Sequence, residues 1–193
     1  MPTEFVRFDE IEDVLSSLDL LALTTPLLIK HPSYWKWAIV AVHAGLQGAM
    51  VCALRDSSGV SVLTKDSARE MLMWFETQEG ALPEEHLLDF GKLLKRCQQA
   101  KWMNGEPLKL TVTQLKDVKR LHDQFRNNFA HFIPKGWSIE KRGLPRIISV
   151  ALDAIEILMR HRRVANRVSE NQTRRLAKRL DSIRKALRLR LLT

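Results

Sequence analysis

A chain of 193 residues holds one domain with a full core, or a core domain plus an extension. With 45% hydrophobic and 27% charged residues it falls outside the disordered and fibrous classes. The net charge of +9 is lopsided: from Arg160 onward twelve Lys or Arg meet only Glu170 and Asp181, while the residues before are close to neutral. A polyanion partner is therefore a question about the tail.

Glycine and proline are few and β-branched alternation is nearly absent, so an all-α fold is expected. The start is acidic (Glu4, Asp9, Glu10, Glu12, Asp13), unlike a secretory signal. The most apolar run, 37–54, is interrupted by His43 and Gln47, so no membrane span and no membrane partner is expected, and the expected location is cytoplasmic. Cys52 and Cys97 lie in apolar helical patterns without CxxC spacing, which reads as two buried free thiols in a reducing compartment.

In chain order, residues 8–23 form a first helix with Ile11, Val14, Leu15, Leu18 and Leu21 on one face, stopped by Thr24-Thr25-Pro26. Pro32-Ser33 opens a long helix, 34–54, whose apolar residues surround the axis, the mark of a bundle's central helix. Gly45 and Gly48 within it permit a close helix crossing. Asp56-Ser57-Ser58-Gly59 is a turn, and Ser67 is expected to cap a short helix over 68–76. Residues 84–99 read as a helix with Leu87, Phe90, Leu94 and Cys97 inward, and 101–110 as a long, mobile connector. Thr113 is the expected cap of the next helix, in which Leu115, Val118, Leu121, Phe125, Phe129 and Phe132 make one buried stripe. Pro134 ends it, Trp137-Ser138-Ile139-Glu140 is a strap, and 144–159 is another strongly apolar helix. Leu176, Leu180, Ile183, Leu187 and Leu191 then form a heptad-like seam among arginines. The division expected is a helical bundle, 1–165, followed by a basic C-terminal helix, 166–193.

The end of the stripe helix carries the chain's one cluster suited to chemistry. On a regular helical wheel His131 falls opposite the stripe, with Asn127 one turn before it on the same face and Arg126 at the boundary. RNA cleavage without a metal needs a group to move the 2′-OH and leaving-group protons, and a fixed cation against the charge developing on phosphorus. A histidine titrates near neutrality and suits the first role. A guanidinium forks onto two phosphate oxygens and suits Arg126 for the second. Asn127 would fix the imidazole or hold a phosphate oxygen. The same residues are also satisfied by a solvated Arg126 and by His131 as a helix C-terminal cap.

Arg126-Asn127-Asn128-Phe129-Ala130-His131 resembles the Arg-polar-x-x-x-His signature of the HEPN superfamily, and the helix at 35–49 is similar to the early core helix of one bacterial branch. The resemblance covers 33–159 and leaves the basic tail outside. It implies an up-and-down bundle of four to five helices, here with a basic C-terminal helical extension. It also implies a homodimer in which two copies of the motif face one cleft. Many members are metal-independent endoribonucleases in toxin–antitoxin or phage-defence systems, so an antitoxin or nucleotidyltransferase partner is implied; others are inactive binding modules. Arg126, His131 and Asn127 are then the catalytic candidates. A regular helix sets Arg126 and His131 roughly 140° apart, and a two-fold partner would supply the second pair.

For RNA contact, the candidates are Lys135 and Trp137 just after the motif, and Arg174, Arg175 and Arg179 in the tail. Of the tail's three readings, RNA contact combined with packing of the seam on a partner is favoured over arginines simply solvated around a seam packed on the body or a second chain, and over an anionic membrane surface. His122 and Asp123 sit near the motif, with His122 expected as half-buried support. The six histidines show no HExxH or paired-ligand spacing, and there is no phosphate-binding glycine loop and no GxSxG. No metal and no cofactor is expected.

Overall fold

The apolar run after Pro32 becomes the strut on which everything else rests: helix α2, Trp35–Leu54, is buried on most of its circumference. In the computed structural model, which describes residues 5–131, 134 and 136–191, α1 (Glu10–Thr24) and α2 form the most extensive helix pair. Asp9 caps α1 by accepting from the Ile11 and Glu12 N–H groups, and Glu10, Glu12 and Asp13 crowd the positive end of the helix dipole. Gly48 sets the approach of the two helices: a Cβ there would lie 2.8 Å from Asp13 Oδ2 and 2.9 Å from Val14 Cγ2. The long hydrophobic segment Pro32–Leu54 has the length and apolarity to cross a bilayer, contrary to the expectation from its interruptions, yet here 72% of its most apolar window is covered by protein. A helix apolar all round is what the centre of a bundle requires.

The other elements close around α2. Helix α3 (Lys65–Thr77) is capped by Thr64, not Ser67. The Ser67 hydroxyl instead donates to the Glu84 carbonyl (2.9 Å) and accepts from the His86 N–H (3.0 Å), pinning the following loop. That loop overturns the helix expected over 84–99. Thr64 N–H donates to the His86 carbonyl and Leu88 N–H to the Val62 carbonyl, so these residues are extended; Leu63 and Leu87 form an isolated antiparallel bridge. Leu87 is consequently 42% exposed and Leu88 takes the inward place at 5%. Helix α4 (Phe90–Cys97) starts only where Asp89 accepts from the Lys92 N–H at 2.8 Å. Among the described residues there is no strand, and the fold is all-helical.

The connector at 101–110 is held in place. Met103 and Leu108 are buried, and Arg163 donates to the Trp102 (2.9 Å) and Leu54 (3.2 Å) carbonyls. Helix α5 (Val112–Arg120) begins earlier than expected, because Thr111 and Gln114 make a reciprocal capping box ahead of Thr113. It continues through a π-helical segment, Leu121–Arg126, into a short helix α6 (Asn127–Ala130). Helix α7 (Leu144–Met159) occupies its expected span and packs on α2 and α5. A short α8 (Arg162–Ala165) turns the chain into α9 (Glu170–Leu191).

Helix α9 is not an extension. Leu176, Leu180, Ile183 and Leu187 belong to the same buried cluster as α1, α2 and α7, so the basic helix set apart by composition is a wall of one core. The reason is the seam itself: four apolar side chains at helical spacing are covered only by packing on the body. Cys52 and Cys97 are both buried and free, with burial pushing each thiol up to about 12.

Candidate functional site

The chain reaches the motif through an irregular turn. Asn127 N–H donates to the His122 carbonyl five residues back, so the helix is widened over Leu121–Arg126 before it resumes. Such π segments recur at functional sites and break the regular wheel on which the face assignment rested. Val118, Leu121 and Phe125 remain buried as the stripe requires, while Leu115 and Phe129 are partly buried; Phe132 lies outside the described residues.

Beyond the widened turn, Arg126 and Asn127 are half-buried and His131 is exposed. Arg126 Nη1 donates to Asn127 Oδ1 at 3.1 Å, so the amide orients the guanidinium and not the imidazole. His131 closes the helix: its backbone N–H donates to the Asn127 carbonyl at 2.9 Å. The polar residues are steadied from behind by Trp137, whose ring meets Phe129 edge-on at 4.8 Å.

Arg126 lines a cleft of about 550 Å³. Its floor is the outer face of α2 (Val40, His43, Ala44, Gln47), and its far wall is the acidic first turn of α1 with Asp9, Glu10 and Asp13. Ala130 closes the near side. The cleft thus has one cationic and one anionic wall. Burial raises the Asp13 carboxyl, while burial of Glu10 is outweighed by a backbone hydrogen bond and by Arg55 and Arg167, which hold it low.

Beneath Arg126 lies a pair the sequence did not bring together. His43, only 3% exposed, shares a 2.9 Å hydrogen bond between its Nε2 and His122 Nδ1. Both rings stack with Phe90 at 4.5 Å between centroids. One imidazole must donate an N–H to the lone pair of the other, so at least the accepting ring is neutral. Burial, then His122, then Arg126 push His43 down to about 3. Burial is also the largest influence on His122, whose value is lowered against the opposing pull of Asp123 and Asp89. Among the described residues, Arg126 is the cation on this wall of the cleft. Residues 79 positions apart carry no mutual signal in a single sequence.

The remaining candidates disperse. Lys135 lies outside the described residues. Trp137 is half-buried packing against Phe125 and Phe129. Arg174 is exposed on α9 and donates to Asn171 Oδ1 at 2.6 Å. Arg175 and Arg179, the other tail candidates for RNA contact, are engaged within the chain: Arg175 pairs with Glu12 (2.8 Å) and Asp19, and Arg179 pairs with Asp19. Their guanidinium groups fasten α9 to α1, because a helix carrying acids faces one carrying arginines. Among the described residues no three His, Cys, Asp or Glu side chains converge as metal ligands.

Comparisons with family models, curated proteins and solved structures found no match.

Proposed function

We propose that this protein is a metal-independent endoribonuclease of the HEPN type, acting on RNA in the cytoplasm as a homodimer. The observation that carries the reading is Arg126, held by Asn127 on the wall of a cleft of about 550 Å³, with exposed His131 at the end of the same helix. In the reaction, the 2′-oxygen attacks the adjacent phosphorus and loses its proton. The P–O5′ bond breaks, the 5′-oxygen gains a proton, and a 2′,3′-cyclic phosphate remains. Arg126 opposes the charge building on the equatorial oxygens, and His131 moves one of the two protons. A second copy facing the same cleft would supply the imidazole for the other proton. The motif's resemblance extends the reading to a toxin–antitoxin or phage-defence setting, with an antitoxin or nucleotidyltransferase as regulator.

A second reading, a catalytically inactive module that binds RNA or protein, is favoured by the acidic wall. Asp9, Glu10 and Asp13 oppose a phosphate and suit a basic partner segment. Mixed RNA incubated with the protein and chelator separates the two. Cleavage should fall by about 10²- to 10⁴-fold in His131→Ala, with a comparable loss in Arg126→Ala. Wild type that leaves RNA intact, or variants that cleave as well as it does, would establish the module instead.

A further inference from the structure

The residues before the connector hold a second basic region that the near-neutral balance of the body conceals. Between Gly91 and Asn104 the chain carries Lys92, Lys95, Arg96 and Lys101 and not one acid. Lys92, Lys95 and Arg96 recur at helical spacing on α4, with Gln99 one turn further. Together with Lys101 and Trp102 they line an open groove of about 300 Å³.

The groove is more than a solvated face. Arg96 lies over the Trp102 ring at 4.4 Å from its centroid and donates to the Ser61 carbonyl, so its guanidinium is held flat and in place. Lys101 Nζ approaches the same ring at 5.6 Å. Lys92 pairs with Asp89 at 2.8 Å, both side chains being well exposed; Lys95 is exposed, and among the described residues it has no carboxylate partner. One fixed guanidinium and three exposed lysines around a half-exposed indole are the elements of a single-strand site, in which phosphates meet charge and a base stacks on a planar group. Its position also suits a strand. Helix α4 begins at Phe90, which stacks on His122, and that residue is four positions before Arg126. The eight residues of α4 extend roughly 12 Å from that end toward Trp102.

We propose that the α4 groove binds the phosphates of a single-stranded RNA whose neighbouring segment enters the Arg126 cleft; this deepens the ribonuclease reading by naming where the substrate strand lies. The test is an anisotropy titration of the full chain with a short, labelled RNA bearing 2′-O-methyl riboses, repeated across salt concentrations. Because that RNA has no free 2′-OH, binding is read whether or not the protein cleaves. The combined variant Lys95→Gln, Lys101→Gln should lower the slope of log affinity against log salt by about 1.4, which is about 0.7 for each phosphate that is no longer neutralised. Lys30→Gln with Lys65→Gln, equal in charge and exposed elsewhere, should leave the slope unchanged. Wild type that ignores the RNA, an unchanged slope in the groove variant, or an equal fall in the control would overturn the proposal. Binding through the groove without cleavage of ordinary RNA would defeat the ribonuclease reading and leave the groove standing.

Discussion

The histidine pair under Arg126 makes stability depend on pH below the ordinary histidine value. His43 is held at about 3 when folded and returns to 6.5 when the chain unfolds. The unfolded chain therefore binds more protons between those values. The contribution is complete above 6.5 and declines as pH falls through it. From pH 7 to pH 5 the loss from His43 alone is about 2 kcal/mol, since each unit below the unfolded value is worth about 1.4 kcal/mol. His122, lowered as well, acts in the same direction. Glu10 and Asp19, held low, lose their contribution only nearer the ordinary carboxylate range, and Asp13, raised by burial, works in the opposite sense. Urea midpoints of wild type and His43→Phe at the two pH values isolate the effect, because phenylalanine keeps the stack on Phe90 and removes the titration. Wild type should lose about 2 kcal/mol more than the variant over this range, the share that belongs to His43. Equal losses in the two proteins, or a wild type that is flat over the window, would refute the neutral pair.

Two further perturbations test the packing. Gly45→Ala and Gly48→Ala should move stability in opposite directions although they lie only three positions apart. At Gly45 the new methyl meets Ile155 Cδ1 and Ser17 Cβ at an ordinary 3.5 Å, so the helix gains about 0.5–1 kcal/mol. At Gly48 contacts of 2.8 and 2.9 Å force α1 outward, and over-packing of about 1–3 kcal/mol exceeds that gain. Parallel shifts in denaturation midpoint would undo the assigned crossing. Arg175→Gln should destabilise the fold by about 1 kcal/mol, less at high salt, since its partners are partly exposed. It should leave the salt slope of RNA binding untouched; a reduced slope would restore Arg175 as a phosphate ligand.

Much of the helical frame was legible because burial enforces periodicity. The spans of α2 and α7 and the inward faces of α1 and α9 follow from apolar spacing alone. Errors gathered where a polar side chain chose between local partners. Thr64 and Thr111 took the caps assigned to Ser67 and Thr113, and the backbone pairing of residues 62–64 with 86–88 drew the expected helix at 84–99 into extended chain. In the site, Arg126 is half-exposed and His131 exposed, but the widened turn at Leu121–Arg126 that sets their directions is a local irregularity no spacing announces. The His43–His122 contact and the pairing of Arg175 and Arg179 with α1 are long-range choices, fixed only when helices meet.

The docking of α9 alters what the charge of this protein looks like from a distance. Arg160, Arg167, Arg175, Arg179 and Arg184, counted along the chain as part of a cationic tail, stand against Glu156, Glu10, Glu12, Asp19 and Asp153. Beyond a Debye length of about 8 Å such dipoles fade to nothing, and an approaching polyanion feels only the cations left over. The C-terminus is thus a poorer lure than its composition suggests, and the field that guides encounter is shared with the lysines of α4.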